Sequence, residues 1–257
     1  MPELPEIAAH AERLEAAFDG AELERFRPLT FTALKTVEPG PDLAVGAPVG
    51  AVEHRGKHLL MPVGPVTFVI HLMQGGRLRP DEKRSAKPRG GLARWAFTDG
   101  RALLLTEAGN EKRAGVWVVT GDAEGQPPLD GLGPDADAVS EEQLATLLGD
   151  QSKRLHGVLR SQSVIAGIGR RLANEICHRA GLSPFANASK LEADDIAALH
   201  AASAACLTES LAAERARDDM SSSKDRPAAV HHREGEPCPV CGDQVRAVSY
   251  VRYTVYY

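Results

Sequence analysis

Behind Pro5 the apolar positions Ile7, Ala11, Leu14 and Phe18 recur at the three- and four-residue spacing of an amphipathic helix, which Gly20 ends. From about Ala44 to Thr120 the pattern changes. Short β-rich runs (HLLMPV, VTFVIHL, ARWAFT, RALLLTE and GVWVV) alternate with Gly, Pro and Asp-Gly turn signals, Asp99-Gly100 among them. Closely spaced short strands predict a sandwich or barrel. The stretch GDAEGQPPLDGLGPDADAVS reads as a linker and puts a domain boundary near Gly121 to Ser140. Beyond it, Leu144, Leu147 and Leu148 open a helical region. One helix is predicted over roughly Arg171 to Ala180, stopped by Gly181. Another is predicted to start at Ser189, with Glu192 completing a capping box, and to run past Leu211 on Ile196, Leu199, Cys206 and Leu207. ARDDMSSSKDRPAAV is polar and reads as a mobile loop. CPVCGDQVRAVSYVRYTVYY reads as a cysteine knuckle leading into a β-hairpin.

Composition narrows the class. With 257 residues, 43% of them hydrophobic, the chain is globular rather than fibrous or disordered. No stretch approaches the roughly 18 consecutive apolar residues of a membrane span, and MPELPEIAAHAERLE lacks the basic start and apolar core of a signal peptide. A soluble, cytoplasmic protein with no membrane partner is expected. Of the four cysteines, Cys177 and Cys206 are isolated and read as core residues, whereas Cys238 and Cys241 form a C-x-x-C pair suited to half a metal site.

The net charge of −5 argues, taken alone, against a nucleic-acid partner. Counted by segment it does not. Arg55 to Arg94 sums to +7 and Gln151 to Lys190 to +6, while Met1 to Gly50 sums to −5 and Gly121 to Asp150 to −8. A single charge run is most often a solvated face. Two basic blocks separated by an acidic stretch suggest two lobes presenting positive surface to a polyanion.

The most informative stretch is Met1-Pro2-Glu3-Leu4-Pro5-Glu6. Its plain reading is a proline turn before a helix whose first turn welcomes an acid. Its chemical reading starts from the small second residue, which permits removal of Met1 and leaves Pro2 as a free secondary amine. An α-amine has a reference pKa near 8 against about 10.4 for lysine, so roughly a tenth is neutral at pH 7. Such an amine is a Schiff-base nucleophile, and Glu3 beside it is placed to handle protons at a sugar ring oxygen and C2′.

MPELPE, RGKHLL around Lys57, HLMQGGRL from His71, LGPDAD in the linker, GIGRRLANEICHRAGLSP from Gly167 and REGEPCPVCG from Arg233 occur together in one order. In these motifs the chain resembles the formamidopyrimidine-DNA glycosylase and endonuclease VIII family over essentially its whole length. The resemblance implies an α+β fold: an N-terminal two-layer β-sandwich with flanking helices over 1–122, a linker over 123–140, a helix-two-turn-helix DNA-binding domain over 141–228, and a zinc-finger β-hairpin over 229–257. DNA is expected between the lobes. The implied activity is base-excision repair of double-stranded DNA carrying oxidised bases or abasic sites, by a monomer that flips out the damaged base, cuts its glycosidic bond and nicks the strand by β,δ-elimination.

Carried over by position, the resemblance makes Pro2 the nucleophile, Glu3 the general acid/base and Lys57 the cation beside phosphate and sugar. His71 and Arg89 become DNA contacts, and Gln74 fills the hole left by the everted base. A glutamine there is endonuclease VIII-like. Lys112-Arg113-Ala114-Gly115 stands where relatives carry Arg-Arg-Phe-Gly, so Arg113 faces the opposite base without a stacking aromatic. Arg170 replaces a phosphate-binding asparagine after GIG and keeps that role with more charge. The loop around Ser221 to Pro227, where relatives cap an oxidised purine, looks short and favours oxidised pyrimidines or several lesions.

Cys238 and Cys241 would hold a structural zinc ion, but the second C-x-x-C is expected just beyond Tyr257, so the site is incomplete as the sequence is given and the natural protein is expected to continue. His231 and His232 could complete it in principle, although their spacing and their place before the knuckle argue against this. The finger's phosphate-contacting arginine, counted with the catalytic set, would be Arg252, although strict counting lands on Tyr253. A non-catalytic reader of damaged DNA is the alternative, and a zinc-ribbon adaptor for protein partners a third reading. Pro2, Glu3 and Lys57 together argue for the enzyme.

Overall fold

The structure, a computed structural model, describes residues 1–108, 111–217 and 226–257. The loop around Ser221 lies outside the described residues up to Asp225. Contacts divide the chain into two units: Met1–Pro2 with Glu6–Gly131, and Glu3–Pro5 with Leu132–Tyr257. The first helix, α1 (Leu4–Phe18), begins where the chain passes from one unit to the other.

The first unit holds two four-stranded antiparallel sheets. One has the order β1 (Leu23–Pro28), β6 (Gly91–Phe97), β7 (Ala102–Glu107), β5 (Gly76–Pro80). The other has the order β2 (Glu53–Arg55), β3 (His58–Val63), β4 (Val66–His71), β8 (Gly115–Thr120). Aromatic contacts tie the sheets face to face. Phe26 of β1 lies 5.2 Å from Phe68 of β4, and the Trp95 ring on β6 meets them at 4.9 and 5.7 Å. Asp99-Gly100 turns β6 into β7, with Gly100 at φ +90°, where a side chain would be strained. The five strands expected from apolar runs are all present. The three that the runs did not announce, LERFRP, EHR and GRLRP, are edge strands, where charge and proline blunt further pairing.

The second unit contains α2 (Glu141–Gly149), α3 (Leu155–Leu159), α4 (Arg170–Arg179), α5 (Ala193–Arg215) and a hairpin of β9 (Ala247–Ser249) and β10 (Thr254–Tyr256). Ser140 and Gln143 form a capping box on α2. The box expected at Ser189 and Glu192 does not form. Asn187 instead caps a short 3-10 turn over Ala188–Lys190, and Glu192 with Asp195 caps α5 one turn later. α4 ends before Gly181, at φ +68°. The core of this unit includes Leu144, Leu148, Leu155, Leu159, Ile165, Leu172, Ile176 and Leu199, and Leu4 from the chain start packs into it. Cys177 and Cys206 are buried there, and burial pushes the Cys177 thiol up to about 12.

Among the described residues, α5 is the one helix long and apolar enough to cross a membrane by length and composition. Alanine is its commonest residue, and Leu199, Ala202, Cys206 and Leu207 pack it into the core of its own unit.

Candidate active site and nucleic-acid interface

In the first unit, Pro2 is buried, and Lys57 sits in the β2–β3 turn with only 5% of its surface exposed. An ordinary turn lysine would be solvated. The adjoining strand pair sets His58 of β3 directly opposite His71 of β4, and their rings lie 4.7 Å apart, with Trp117 of β8 edge-on to His58 at 6.5 Å. Burial is the main reason that both imidazoles hold protons poorly, His58 at about 4 and His71 at about 3. His58, Lys57 and the N-terminal amine push His71 down further, so these four groups share one electrostatic environment.

The hydrogen bonds fix the tautomers. Met73 N–H donates to His71 Nδ1 at 3.0 Å, which leaves the proton on Nε2, and His58 Nδ1 donates to the Arg55 carbonyl at 3.3 Å. His71 is thereby a neutral donor with its Nε2–H available.

Glu3 belongs to the second unit, where it caps α4 from a distant point in the chain. Its Oε1 accepts from Arg171 N–H at 3.1 Å and its Oε2 from Leu172 N–H at 3.0 Å. The helix needs this, because its own N-cap, Gly169, offers no side chain. Gly169 in turn is required by Glu3: a Cβ there would overlap the Glu3 carboxylate. Gly167, at φ +99°, accepts from Leu4 N–H at 3.0 Å through its carbonyl, and a Cβ on it would strike the Leu4 side chain. The GIG run and the chain start are therefore one fitted piece, with the acid held rigidly next to Pro2 in sequence.

The remaining candidates are spread along the chain. Gln74 is exposed in the β4–β5 turn, presented by Met73 at φ +51°. Arg89 is exposed, and like Arg77, Arg79, Lys83 and Lys87 it has no carboxylate partner among the described residues. Arg55 and Arg94 of the same basic block are paired, with Glu124 at 2.6 Å and Asp81 at 2.7 Å. Arg113 is on the surface in a pair with Glu111 at 2.7 Å. Arg170 is exposed at the first position of α4, and Arg252 is exposed in the turn between β9 and β10.

At the knuckle, Cys238 Sγ accepts from Val240 N–H at 3.4 Å and contacts His178 Nε2 at 3.2 Å. The Cys241 N–H first, then His178 and the Val240 N–H, bring the Cys238 thiol down to about 6. Both cysteines line a cavity of about 460 Å³ that His178, Asp243, Arg246 and Tyr257 also border.

This chain matches the formamidopyrimidine-DNA glycosylase N-terminal domain over residues 1–111 and the formamidopyrimidine-DNA glycosylase H2TH domain over residues 131–222. It is 33% identical over 257 residues to the formamidopyrimidine-DNA glycosylase of Roseiflexus sp., covering 94% of this chain and 92% of the relative. The chain belongs to the formamidopyrimidine-DNA glycosylase family. A formamidopyrimidine-DNA glycosylase-like protein of Mycobacterium tuberculosis is 42% identical over 128 residues, 49% of this chain and 81% of that one. Among solved structures, the MutM (Fpg) protein of Thermus thermophilus superimposes with a TM-score of 0.85 at 26% identity, covering 100% of this chain and 97% of that chain. The Lactococcus lactis Fpg, solved with DNA containing N7-benzyl-Fapy-dG, has a TM-score of 0.86 at 18% identity over 100% and 97%, a likeness of fold.

The formamidopyrimidine-DNA glycosylase family implies a zinc finger at Cys238 and Cys241. Two cysteine sulfurs, that of Cys238 oriented by N–H donors, are half of the four-ligand set that a structural zinc takes. Among the described residues no group of three or more His, Cys, Asp or Glu side chains could hold a metal ion. His231 and His232 are engaged elsewhere, with Asn174 at 2.8 Å and the Tyr256 hydroxyl at 3.0 Å. By themselves the described residues do not fit a closed zinc site.

Sequence reasoning missed four residues. His58 is hidden in RGKHLL, and only strand register puts it against His71. His156 and Asn174 are buried polar residues whose partners lie far along the chain, Tyr253 for the first and His231 for the second. Arg160 lies in the basic block Gln151 to Lys190, and its surroundings single it out.

Proposed function

We propose that this protein is a DNA glycosylase with abasic-site lyase activity that acts on oxidised bases in duplex DNA. The observation that carries the reading is the fitted chain start: Pro2 is buried, the N-terminal amine one residue before it acts on His71 together with Lys57 and His58, and its peptide neighbour Glu3 is held by two backbone donors of α4. A carboxylate locked in this way spends no reorganisation in finding its place.

Once Met1 is removed, the neutral Pro2 amine attacks C1′ of the damaged nucleotide. The C1′–N bond breaks, the base leaves with a proton, and the sugar ring opens as Pro2 and C1′ become an iminium ion. Glu3 takes the proton that the Pro2 nitrogen sheds on bonding C1′, passes it to the ring oxygen and then, as the carboxylate, removes one from C2′, so that the C3′–O bond breaks and its electrons leave with the phosphate. A second elimination releases the 5′ phosphate. Lys57 and the neutral Nε2–H of His71 are suited to the phosphate beside the lesion. An everted base is needed for this chemistry, and exposed Gln74 is suited to occupy its gap.

Borohydride trapping on abasic-site duplex is the test. The Met1-processed protein should give a covalent complex, and Pro2→Gly should give far less. Equal trapping by Pro2→Gly, or none by the wild type, sinks the reading.

A further inference from the structure

We propose that Arg160, aimed by the ring of Tyr253 and acting with Arg170, is a binding site for a DNA backbone phosphate. The inference rests on the DNA-binding reading above and names a contact that the motifs do not supply.

Arg160 is the C-terminal cap residue of α3, and Tyr253 stands immediately before β10, ninety-three positions later. The Arg160 guanidinium carbon lies 4.0 Å from the centroid of the Tyr253 ring, well inside cation–π range. That ring is not free to turn. His156 stacks on it at 6.0 Å with 21° between planes, and Tyr250 at 4.8 Å with 22°. Arg154 fixes Tyr250 by donating to its hydroxyl at 2.9 Å. His156 itself is only 2% exposed and stays neutral, chiefly because it is buried. Two neighbouring rings thus hold the Tyr253 ring against which the Arg160 guanidinium packs.

The charge of that guanidinium is left unanswered. Arg160 Nε is buried and has no hydrogen-bond partner among the described residues. No carboxylate pairs with Arg160 or Arg170 among the described residues. Burial lowers the Arg160 pKa most, and the like charge of Arg170 lowers it further, against the opposing influence of Tyr253. Two arginines that repel each other, one with an idle buried donor, form an anion site, and the planar donor fork of arginine suits phosphate. The position that counting assigned to the finger's arginine is Tyr253, and the structure explains how a tyrosine can serve there. It carries no charge to the DNA; it holds the charge of α3 in place.

The experiment measures the salt dependence of binding to two duplexes, one with a tetrahydrofuran abasic-site analogue and one undamaged, using the full chain. Arg160→Met should reduce the slope of log K against log salt by about 1, so that its deficit against wild type shrinks roughly threefold between about 50 and 200 mM salt. Arg160→Lys, which keeps the charge, should keep the wild-type slope, and Tyr253→Leu should weaken binding with Arg160 intact. An unchanged slope in Arg160→Met overturns the proposal. So does a slope in Arg160→Lys as low as that of Arg160→Met, since the residue would then matter for stacking alone. Loss of abasic-site preference and of trapping in the wild type would instead overturn the glycosylase reading, while the slopes on undamaged duplex would still judge the phosphate site.

Discussion

Between its two sheets the first unit buries Trp95, Phe68 and Phe97 completely, with Ile7, Leu23, Leu59 and Met61 around them. The C-terminal segment 226–257 has Val230, Cys238 and Val245 as its buried apolar cluster, with Tyr256 packed against it. So small a core cannot order some thirty residues by apolar burial. Polar side chains of α4 do that work. Glu175 Oε2 accepts from Ala229 N–H at 2.7 Å, and its Oε1 from Val230 and His231 N–H at 3.1 and 2.9 Å. Asn174, fully buried, bonds His231 at 2.8 Å and accepts from Tyr256 N–H at 3.3 Å. One region is held by area, the other by direction. A region that holds the Tyr253 ring against Arg160 gains from bonds that specify geometry.

The sequence supplies a separate probe for each region, because both tryptophans, Trp95 and Trp117, lie in the sandwich and all four tyrosines lie between Tyr250 and Tyr257. The largest contrast is expected from Glu175→Ala, which orphans three backbone donors at a cost of about 1–3 kcal/mol each unless the segment opens to water. It should open. Tyrosine signals and amide-exchange protection of residues 229–256 should collapse while the tryptophan melt stays at the wild-type temperature. Trp95→Ala should do the reverse, costing about 3–5 kcal/mol in the tryptophan-monitored transition. If Glu175→Ala lowers the sandwich transition instead, the division of labour is wrong.

This difference also decided what could be read without a structure. The apolar runs HLLMPV, VTFVIHL and RALLLTE announce β3, β4 and β7 because burial on a pleated surface leaves a periodic trace. Edge strand GRLRP leaves none, since one side of it faces water. Pro2, Glu3 and Lys57 were legible through the motifs of the resemblance. The capping of α4 by Glu3 was not, because its donors sit 168 and 169 residues away and no local pattern records a bond of that span. The same holds for Glu175, which in NEICHR is one more helical acid, and for Arg160, whose meaning comes from a ring at the other end of the chain. Periodicity records area; directional contacts leave no periodic mark.

Acid should load both units, since His156 and His231 of the second also stand low, at about 4 and 3, and the tryptophans let the sandwich be followed by itself. His10, His58 and His71 stand at about 4, 4 and 3 in the folded unit, below the ordinary 6.5, with burial as the first cause in each. Below pH 6.5 the unfolded chain therefore binds protons that the folded unit refuses. Stability is full above that pH and is lost as pH falls toward 4, at up to ~1.4 kcal/mol per pH unit for each histidine. Urea midpoints followed by tryptophan fluorescence should hold steady between about pH 7 and 8 and drop at each step from 6.5 to 4.5. A flat profile across that range would mean that these imidazoles are solvated in the folded protein.

Tyr256→Phe carries the smallest expected effect and makes the finest distinction. The residue contributes to the segment in three ways: its ring meets His231 and His232 at 5.4 and 5.2 Å, its backbone N–H reaches Asn174, and its hydroxyl bonds His232 Nδ1 at 3.0 Å. The substitution removes the hydroxyl alone. That bond is exposed, water can replace either partner, and the loss should be about 0.5 kcal/mol, read as a roughly twofold rise in amide exchange over 254–256. Glu175 differs because its donors are buried, so water reaches them only if the segment opens. Should Tyr256→Phe release the segment as completely as Glu175→Ala, burial of the partners would not be what makes the α4 bonds decisive, and the hairpin would be hanging from its own surface bonds.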